Sequence, residues 1–246
     1  MGPAFPESEH RERLSRARSV LRTAGFDGCV CVAPEHLYYL GGYDAHTHFS
    51  QQALIFTVGD DEPTLIIRDA DIACATETSW LRDVRTYHHG VEDPAGLVAS
   101  VAREKGLDGT RLGTELAAYA LPAAFYLRLL GEFRHTTRFD DVGAIVGALR
   151  IVKSDAELDY VHTARRHSME GLKTFFEHVA CKDTEITLAG RIEGTLRKKG
   201  SEARASPPWR MVRVRKWIAR ELLSLHTFAD VSFEDTKRLL VALQSH

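Results

Sequence analysis

The sequence is poor in the residues that mark unusual protein classes. It has 4 Cys, 8 Pro and 18 Gly in 246 residues, which excludes a disulfide framework, a collagen-like chain and a low-complexity linker. No apolar run approaches the roughly 20 residues that cross a bilayer. The opening segment MGPAFPESEHRERL turns polar and charged before any apolar core, unlike a secretory leader. With 44% hydrophobic residues and a net charge of −2, we expect a cytoplasmic globular protein that does not enter a membrane.

Short motifs with known chemistry are also missing. No G-x-G-x-x-G, Walker A loop, G-x-S-x-G elbow or H-E-x-x-H occurs. Cys29 and Cys31 lie two apart in an apolar run, where a strand directs both thiols to one face as small buried hydrophobes. Cys74 and Cys181 stand alone, so the spacing does not favour a zinc site. We therefore assign no catalytic residue and no metal ligand.

Alternating strand and helix patterns extend to about residue 150. Apolar spacing predicts helices over 8–24, 71–78, 93–105, 121–130 and 141–149. Runs of β-favouring residues predict strands over 28–33, 53–58, 64–67, 84–87, 111–114 and 133–139, with a turn at 34–36. Asp93 is the expected N-cap of its helix. This alternation predicts an α/β domain over residues 1–150, with a mixed sheet and flanking helices.

The pattern changes near residue 151. Ser154 and Glu157 have the spacing of a capping box, which predicts a long helix to about Ala180. Thr184 is the expected cap of a second helix over 185–199. We assign residues 151–200 to the start of a second domain and 201–246 to an atypical tail.

A basic segment overlaps the start of that tail. Between Arg197 and Arg220 nine basic residues stand against one acid, so this segment carries +8 and the rest of the chain −10. Trp209 and Trp217 could stack on bases, which leaves nucleic-acid binding as one alternative. The segment lacks a helical or strand period that would collect the charge on one face, so this alternative is disfavoured.

Three phrases carry a family resemblance. They are Pro34-Glu-His-Leu-Tyr-Tyr-Leu-Gly-Gly-Tyr43, Leu149-Arg-Ile-Val-Lys-Ser-Asp-Ala-Glu157, and Thr184-Glu-Ile186 leading to Gly194-Thr-Leu-Arg-Lys-Lys-Gly200. In this order they resemble the creatinase / Xaa-Pro dipeptidase (prolidase) / aminopeptidase P family of pita-bread hydrolases. The resemblance implies that residues 1–150 form the creatinase-type N-terminal domain, which shapes the substrate pocket and builds a homodimer. Substrates of the family are small peptides or amides, cleaved at a C–N bond.

The resemblance also implies where the chemistry belongs. Most peptidases of this family hold two divalent metals, such as Mn or Co, with two Asp, one His and two Glu of the C-terminal domain, while creatinase and its close relatives use a His without metal. The tail offers Glu221, His226, Asp230, Glu234 and Asp235, but not in that order. We therefore expect an incomplete pita-bread domain, replaced or out of frame after about residue 200, with no cofactor and no activity in this chain. The alternative is a non-catalytic binding or scaffold protein of the same fold.

His46, His48 and Phe49 are the candidate substrate-binding residues. The resemblance places their loop near the substrate pocket of the neighbouring subunit, although Ala45-His46 stands where a Gly-Trp is frequent. Two solvated histidines and a His-x-His metal pair remain alternatives. His88-His89 is interpreted as loop surface. Asp155, Asp159 and His162 share one helical face and are interpreted as solvated.

Overall fold

The computed structural model describes residues 3–44, 50–179 and 184–201. The chain divides into two compact units, Met1–Ser154 and Asp155–His246. The first unit contains a six-stranded sheet with helices on both faces. The described part of the second unit contains two helices.

The first unit alternates strands and helices, which confirms the predicted α/β fold. Its helices are α1 (Glu7–Thr23), α2 (Pro34–Gly41), α3 (Ile72–Thr78), α4 (Pro94–Glu104), α5 (Ala123–Glu132) and α6 (Gly143–Ala148). Its strands are β1 (Gly28–Cys31), β2 (Ala53–Thr57), β3 (Thr64–Arg68), β4 (Asp83–Tyr87), β5 (Arg111–Thr114) and β6 (Arg138–Asp141).

The sheet has the strand order β4-β3-β2-β1-β5-β6. β2 is antiparallel to both of its neighbours, whereas β1 with β5, β5 with β6, and β3 with β4 are parallel. All strands of this sheet except β2 therefore run in one direction. The mixed sheet expected from the sequence is confirmed.

Side chains of β1 alternate between the two faces of the sheet and show how the core is divided. Cys29 and Cys31 face the layer that contains α1, α2 and α6. Val30 and Val32 face the layer of α4 and α5. Both faces are buried, because helices cover each of them, so β1 reads as a continuous apolar run rather than an alternating one.

The residue that precedes α6 packs closely against the backbone of β5. A Cβ built on Gly113 of β5 would lie 2.5 Å from Cγ1 of Val142. Val142 is fully buried and leads directly into α6. Glycine at this position therefore lets the start of α6 pack against the sheet.

Two buried side chains of α1 bind one carbonyl group of α2. His10 Nδ1 lies 3.1 Å and Arg13 Nη1 3.3 Å from the Tyr39 carbonyl oxygen. The Arg13 guanidinium also stacks 4.6 Å from the centre of the Tyr39 ring. Burial lowers the pKa of His10, although the hydrogen bond to Tyr39 partly opposes this shift. The neutral imidazole is therefore favoured, with Nδ1–H donating.

Two local predictions are wrong. The segment Pro34–His36 is not a turn, because α2 begins at Pro34, whose fixed φ and missing N–H suit the first position of a helix. The last strand does not cover 133–139, because Phe133 caps the end of α5 and the chain pairs with β5 only from Arg138. Asp93 caps α4 as expected, accepting a hydrogen bond from the Ala95 N–H.

The second unit contains α7 (Asp155–His178) and α8 (Glu185–Lys198). The two helices approach closely at Gly171, where an added Cβ would lie 3.1 Å from Leu196. Thr184 caps α8 as expected, accepting a hydrogen bond from the Thr187 N–H. Apolar side chains of α7 such as Leu158 and Val161 are 40% and 49% exposed.

Candidate functional site

The candidate site follows from the direction of the strands. β1, β3, β4 and β5 all end at one edge of the sheet, and β2 begins there because it runs in the opposite direction. We call the residues that follow those four strands or precede β2 the carboxyl edge. In open α/β sheets ligands bind outside the carboxyl ends of the strands, so this edge is where a functional site is expected.

Glu115, the residue directly after β5, lies at the carboxyl edge next to the end of β1. Its Oε2 accepts hydrogen bonds from the N–H groups of Val32 and Ala33, and its Oε1 lies 2.6 Å from Nδ1 of His36. Glu115 is 3% and His36 5% exposed. A buried carboxylate is stable only when hydrogen bonds or a paired charge replace its water, and these three groups do so. Glu115 therefore fixes the first turn of α2 against the end of β1.

The two cysteines of β1 lie beside this pair. Their Sγ atoms are 3.4 Å apart and both side chains are fully buried, as expected for small hydrophobes on one face. The hydrogen bond with Cys29 and burial raise the pKa of the Cys31 thiol well above its ordinary value. Since the thiolate is the nucleophile and the metal ligand, this shift disfavours both roles for Cys31.

A second polar group lies at the end of β3. Arg68 binds Asp71 through two hydrogen bonds, Nε to Oδ2 at 2.7 Å and Nη2 to Oδ1 at 3.1 Å. Tyr43 is 2% exposed, and its hydroxyl makes no hydrogen bond to any residue that the structure describes. Burial raises the pKa of Tyr43, and the nearby Asp71 adds to the shift. The phenol therefore stays neutral.

A shallow cleft of about 360 Å³ opens at the end of β4. We call it the 87–94 cleft, after the segment that forms most of it. Tyr87 lines it from a buried position and donates a hydrogen bond of 2.8 Å to the Gln51 carbonyl. The other polar side chains that line it are Gln51, His89, Glu92, Asp93 and Arg128. The cleft thus brings together three separate parts of the chain.

The substrate-binding residues proposed from the sequence belong to the segment before β2. His46, His48 and Phe49 lie outside the described residues, so their role stays a prediction. Among the described residues on either side of them, Tyr43 and Ser50 are 2% and 7% exposed, and Asp44 is exposed.

No metal site can be built from the described residues. Over 3–44, 50–179 and 184–201, no three His, Cys, Asp or Glu side chains come together as a metal would require. This includes Asp155, Asp159 and His162 of α7. The acidic residues and histidine of the 201–246 tail lie outside the described residues. Within the described ranges, no helix has the length and hydropathy needed to span a membrane.

Sequence reasoning missed the groups that build the carboxyl edge. Glu115 carries one usable signal, because an acid directly after an apolar strand lies where the carboxyl ends of strands meet. Nothing in the sequence pairs it with His36, which lies 79 positions away. No motif indicates the 87–94 cleft either, and His89 is exposed outside any helix or strand, in agreement with its interpretation as loop surface.

Comparison with known proteins agrees with this fold. A sequence model of the Creatinase/Prolidase N-terminal domain matches residues 13–152. The ectoine hydrolase of Halomonas elongata is 29% identical over 168 residues, which are 65% of this chain and 42% of that protein. The Xaa-Pro dipeptidase of Lactobacillus helveticus is 26% identical over 184 residues, 75% of this chain and 49% of that protein.

Among solved structures, the prolidase of Thermococcus sibiricus superposes with a TM-score of 0.66 at 18% identity, covering 78% of this chain and 50% of that one. At this identity the likeness shows the fold. The chain spans about half the length of the curated relatives it matches. Since the domain model covers more than half of the chain, the protein belongs to the family of the Creatinase/Prolidase N-terminal domain.

Proposed function

We propose that the first unit is the substrate-pocket and dimerisation domain of a hydrolase that cleaves peptide or amide C–N bonds, and that this chain alone does not catalyse the reaction. The observation that carries the proposal is the family match over residues 13–152. It is supported by relatives that match 65% and 75% of this chain and are named as an ectoine hydrolase and an Xaa-Pro dipeptidase.

The geometry of the carboxyl edge supports a positioning role. The carboxylate of Glu115 is occupied by two backbone N–H groups and His36. Two nitrogens of the Arg68 guanidinium donate hydrogen bonds to the two carboxylate oxygens of Asp71. Groups held in this way are rigid and satisfied, which suits the support of a pocket wall better than proton transfer to a substrate.

The metal pair implied by the family resemblance does not fit the described residues. Two metals bridged by a water need carboxylates and a histidine converging on one point, and no three such side chains converge in the described ranges. The tail residues Glu221, His226, Asp230, Glu234 and Asp235 do not follow the expected order of two Asp, one His and two Glu. We therefore assign no metal-dependent step to this chain.

Exposed apolar side chains support the proposed homodimer. Tyr119 is 64% and Leu127 67% exposed on the first unit, and Leu130, one helical turn from Leu127, is 37% exposed. Neighbouring apolar side chains on a surface favour burial against a partner. A second copy of this chain is the partner that the family resemblance implies.

Two measurements on the purified chain test the proposal. Light scattering is expected to give twice the mass of 27.5 kDa, and a monomer would reject the dimerisation role. Glycyl-proline and ectoine are expected to stay intact in the presence of Mn²⁺ or Co²⁺. Metal-dependent hydrolysis of either compound by this chain would contradict the claim that it does not catalyse alone, while leaving the family assignment in place.

A further inference from the structure

Both apolar and polar side chains line the 87–94 cleft. The Tyr87 hydroxyl donates to the Gln51 carbonyl, and Tyr87 is only 3% exposed, so this side chain is a fixed part of the cleft wall. The ring of His89 lies 6.5 Å from that of Tyr87 at an angle of 54°. Val91 lines the cleft and is 76% exposed, whereas Pro94 lines it from a buried position. The Val91 side chain and the exposed His89 ring are therefore the surfaces that an apolar group of a ligand could contact.

The rim of the cleft carries charges of both signs. The Glu92 carboxylate accepts a hydrogen bond from the His88 N–H through Oε2, which leaves Oε1 for a cationic group. Arg128 donates from Nε to Asp93 and from Nη1 to the Ala124 carbonyl. These bonds use two of its five N–H groups and leave three for a carboxylate.

The segment that presents these groups is held at both ends. His88 Nδ1 contacts the Asp69 carboxylate, and the N–H groups of Val91 and Glu92 both donate to the His88 carbonyl. At the other end, Asp93 caps α4 and pairs with Arg128. A site built on such a segment loses little conformational entropy when a ligand binds.

We propose that the 87–94 cleft binds a small zwitterion with an apolar body, of the class of free amino acids. Its cationic group would lie against Glu92, its carboxylate against Arg128, and its body against Val91 and the His89 ring. A volume of about 360 Å³ is at the small end of the range for ligand pockets. The site belongs to the first unit, and its test does not depend on the proposed hydrolase function.

The test uses three probes that share one hydrocarbon body. L-valine carries both charges, isobutylamine is valine without its carboxylate, and isovalerate is valine without its amine. Each is titrated into the ¹⁵N-labelled full chain while amide shifts are followed by NMR. L-valine is expected to shift the amides of residues 88–93 and to bind at least about tenfold more tightly than either half, since each end adds a charge-assisted hydrogen bond.

Two variants locate the site, and two serve as matched controls. Glu92→Gln and Arg128→Gln are each expected to weaken L-valine binding about tenfold. Glu92→Gln keeps an amide oxygen for the His88 N–H, so it tests the charge without removing that hydrogen bond. The controls Glu132→Gln and Arg134→Gln change exposed charges that do not line the cleft and are expected to leave binding unchanged.

Each possible result of these titrations either supports the proposal or overturns it. Binding of L-valine that is stronger than that of both halves and is lost in the two cleft variants supports the proposal. It is overturned if L-valine causes no shifts at residues 88–93, if isobutylamine or isovalerate binds as tightly, or if the controls weaken binding as much as the cleft variants do. None of these results depends on hydrolytic activity or on whether the protein is a dimer.

Discussion

Glu115 and His36 form a buried pair that joins the end of β5 to the first turn of α2. Oε1 of Glu115 lies 2.6 Å from Nδ1 of His36, and neither residue is more than 5% exposed. The same carboxylate binds the two backbone N–H groups at which the chain leaves β1. One side chain directly after β5 thus anchors the start of α2.

Replacing Glu115 measures the strength of this connection. Glu115→Ala leaves His36 and two buried N–H groups without their acceptor, so the free energy of unfolding is expected to fall by about 3–5 kcal/mol. Glu115→Gln keeps one accepting oxygen and is expected to lose less. Urea denaturation of the full chain checks both values. Glu132→Ala on exposed α5 surface is the control, and an equal loss there would contradict the assigned role.

Two tyrosines that differ in their hydrogen bonds make a matched pair. The Tyr39 hydroxyl donates to the Leu149 carbonyl at 3.0 Å, whereas the buried Tyr43 hydroxyl has no hydrogen-bond partner among the described residues. Tyr39→Phe is expected to cost about 1–2 kcal/mol, and Tyr43→Phe to be neutral or stabilising. Thermal and urea unfolding give both values. A larger loss for Tyr43→Phe than for Tyr39→Phe would reverse this assignment.

Two glycines test the packing of α6 against the sheet. A Cβ at Gly113 would lie 2.5 Å from Val142, but a Cβ at Gly96 in α4 would meet nothing within 4 Å. Gly113→Ala is therefore expected to lower the free energy of unfolding by about 1–3 kcal/mol through overpacking. Gly96→Ala is expected to raise it by about 0.4–1 kcal/mol. Changes of the same sign in both variants would show that contact with Val142 is not the cause.

Buried His10 makes stability depend on pH. Burial lowers the pKa of His10 from its ordinary value of 6.5, so the unfolded chain binds the proton more readily. As the pH falls from 6.5 toward the lower pKa that His10 has in the folded protein, protonation therefore favours the unfolded state. Neutral His10 makes its full contribution to the free energy of unfolding only above pH 6.5. The charged neighbours Arg13 and Glu9 act in opposite directions on this pKa.

The measurement compares unfolding free energies between about pH 7.5 and pH 5, the range in which a His of ordinary pKa takes up its proton. His10→Gln is expected to reduce the loss of stability across this range. His135→Gln, at an exposed position, is expected to leave the loss unchanged. An unchanged pH profile in His10→Gln would rule out His10 as its source.

The proposed substrate contacts of His46, His48 and Phe49 are tested in an active host. Residues 44–50 of this chain replace the aligned loop of the Lactobacillus helveticus dipeptidase, and kcat/KM is measured before and after alanine replacement of each residue in turn. Loss of one substrate contact is expected to lower kcat/KM about tenfold without unfolding the host. Equal values for the three alanine variants and the parent chimera would favour solvated side chains, and a gain of zinc binding would favour the metal pair.

Local chemistry made the elements of the first unit predictable. The apolar period of α1 and the Asp93-Pro94 start of α4 depend on nearby residues, so they can be recognised in one sequence. The pairing of Glu115 with His36 depends on which strands lie side by side, which no local pattern contains. The 87–94 cleft is likewise formed by Gln51, a loop and Arg128 of α5, which only the tertiary fold brings together.

The central position of β1 has a consequence for folding during synthesis. Gly28 pairs with Thr57, 29 positions later, and with Leu112, 84 positions later. The half-sheet of β1 to β4 can therefore form well before β5 has left the ribosome, because its contacts are closer in sequence. Until then one side of β1 exposes unpaired backbone groups and apolar side chains. The nascent chain is most open to mispairing and chaperone capture in this interval.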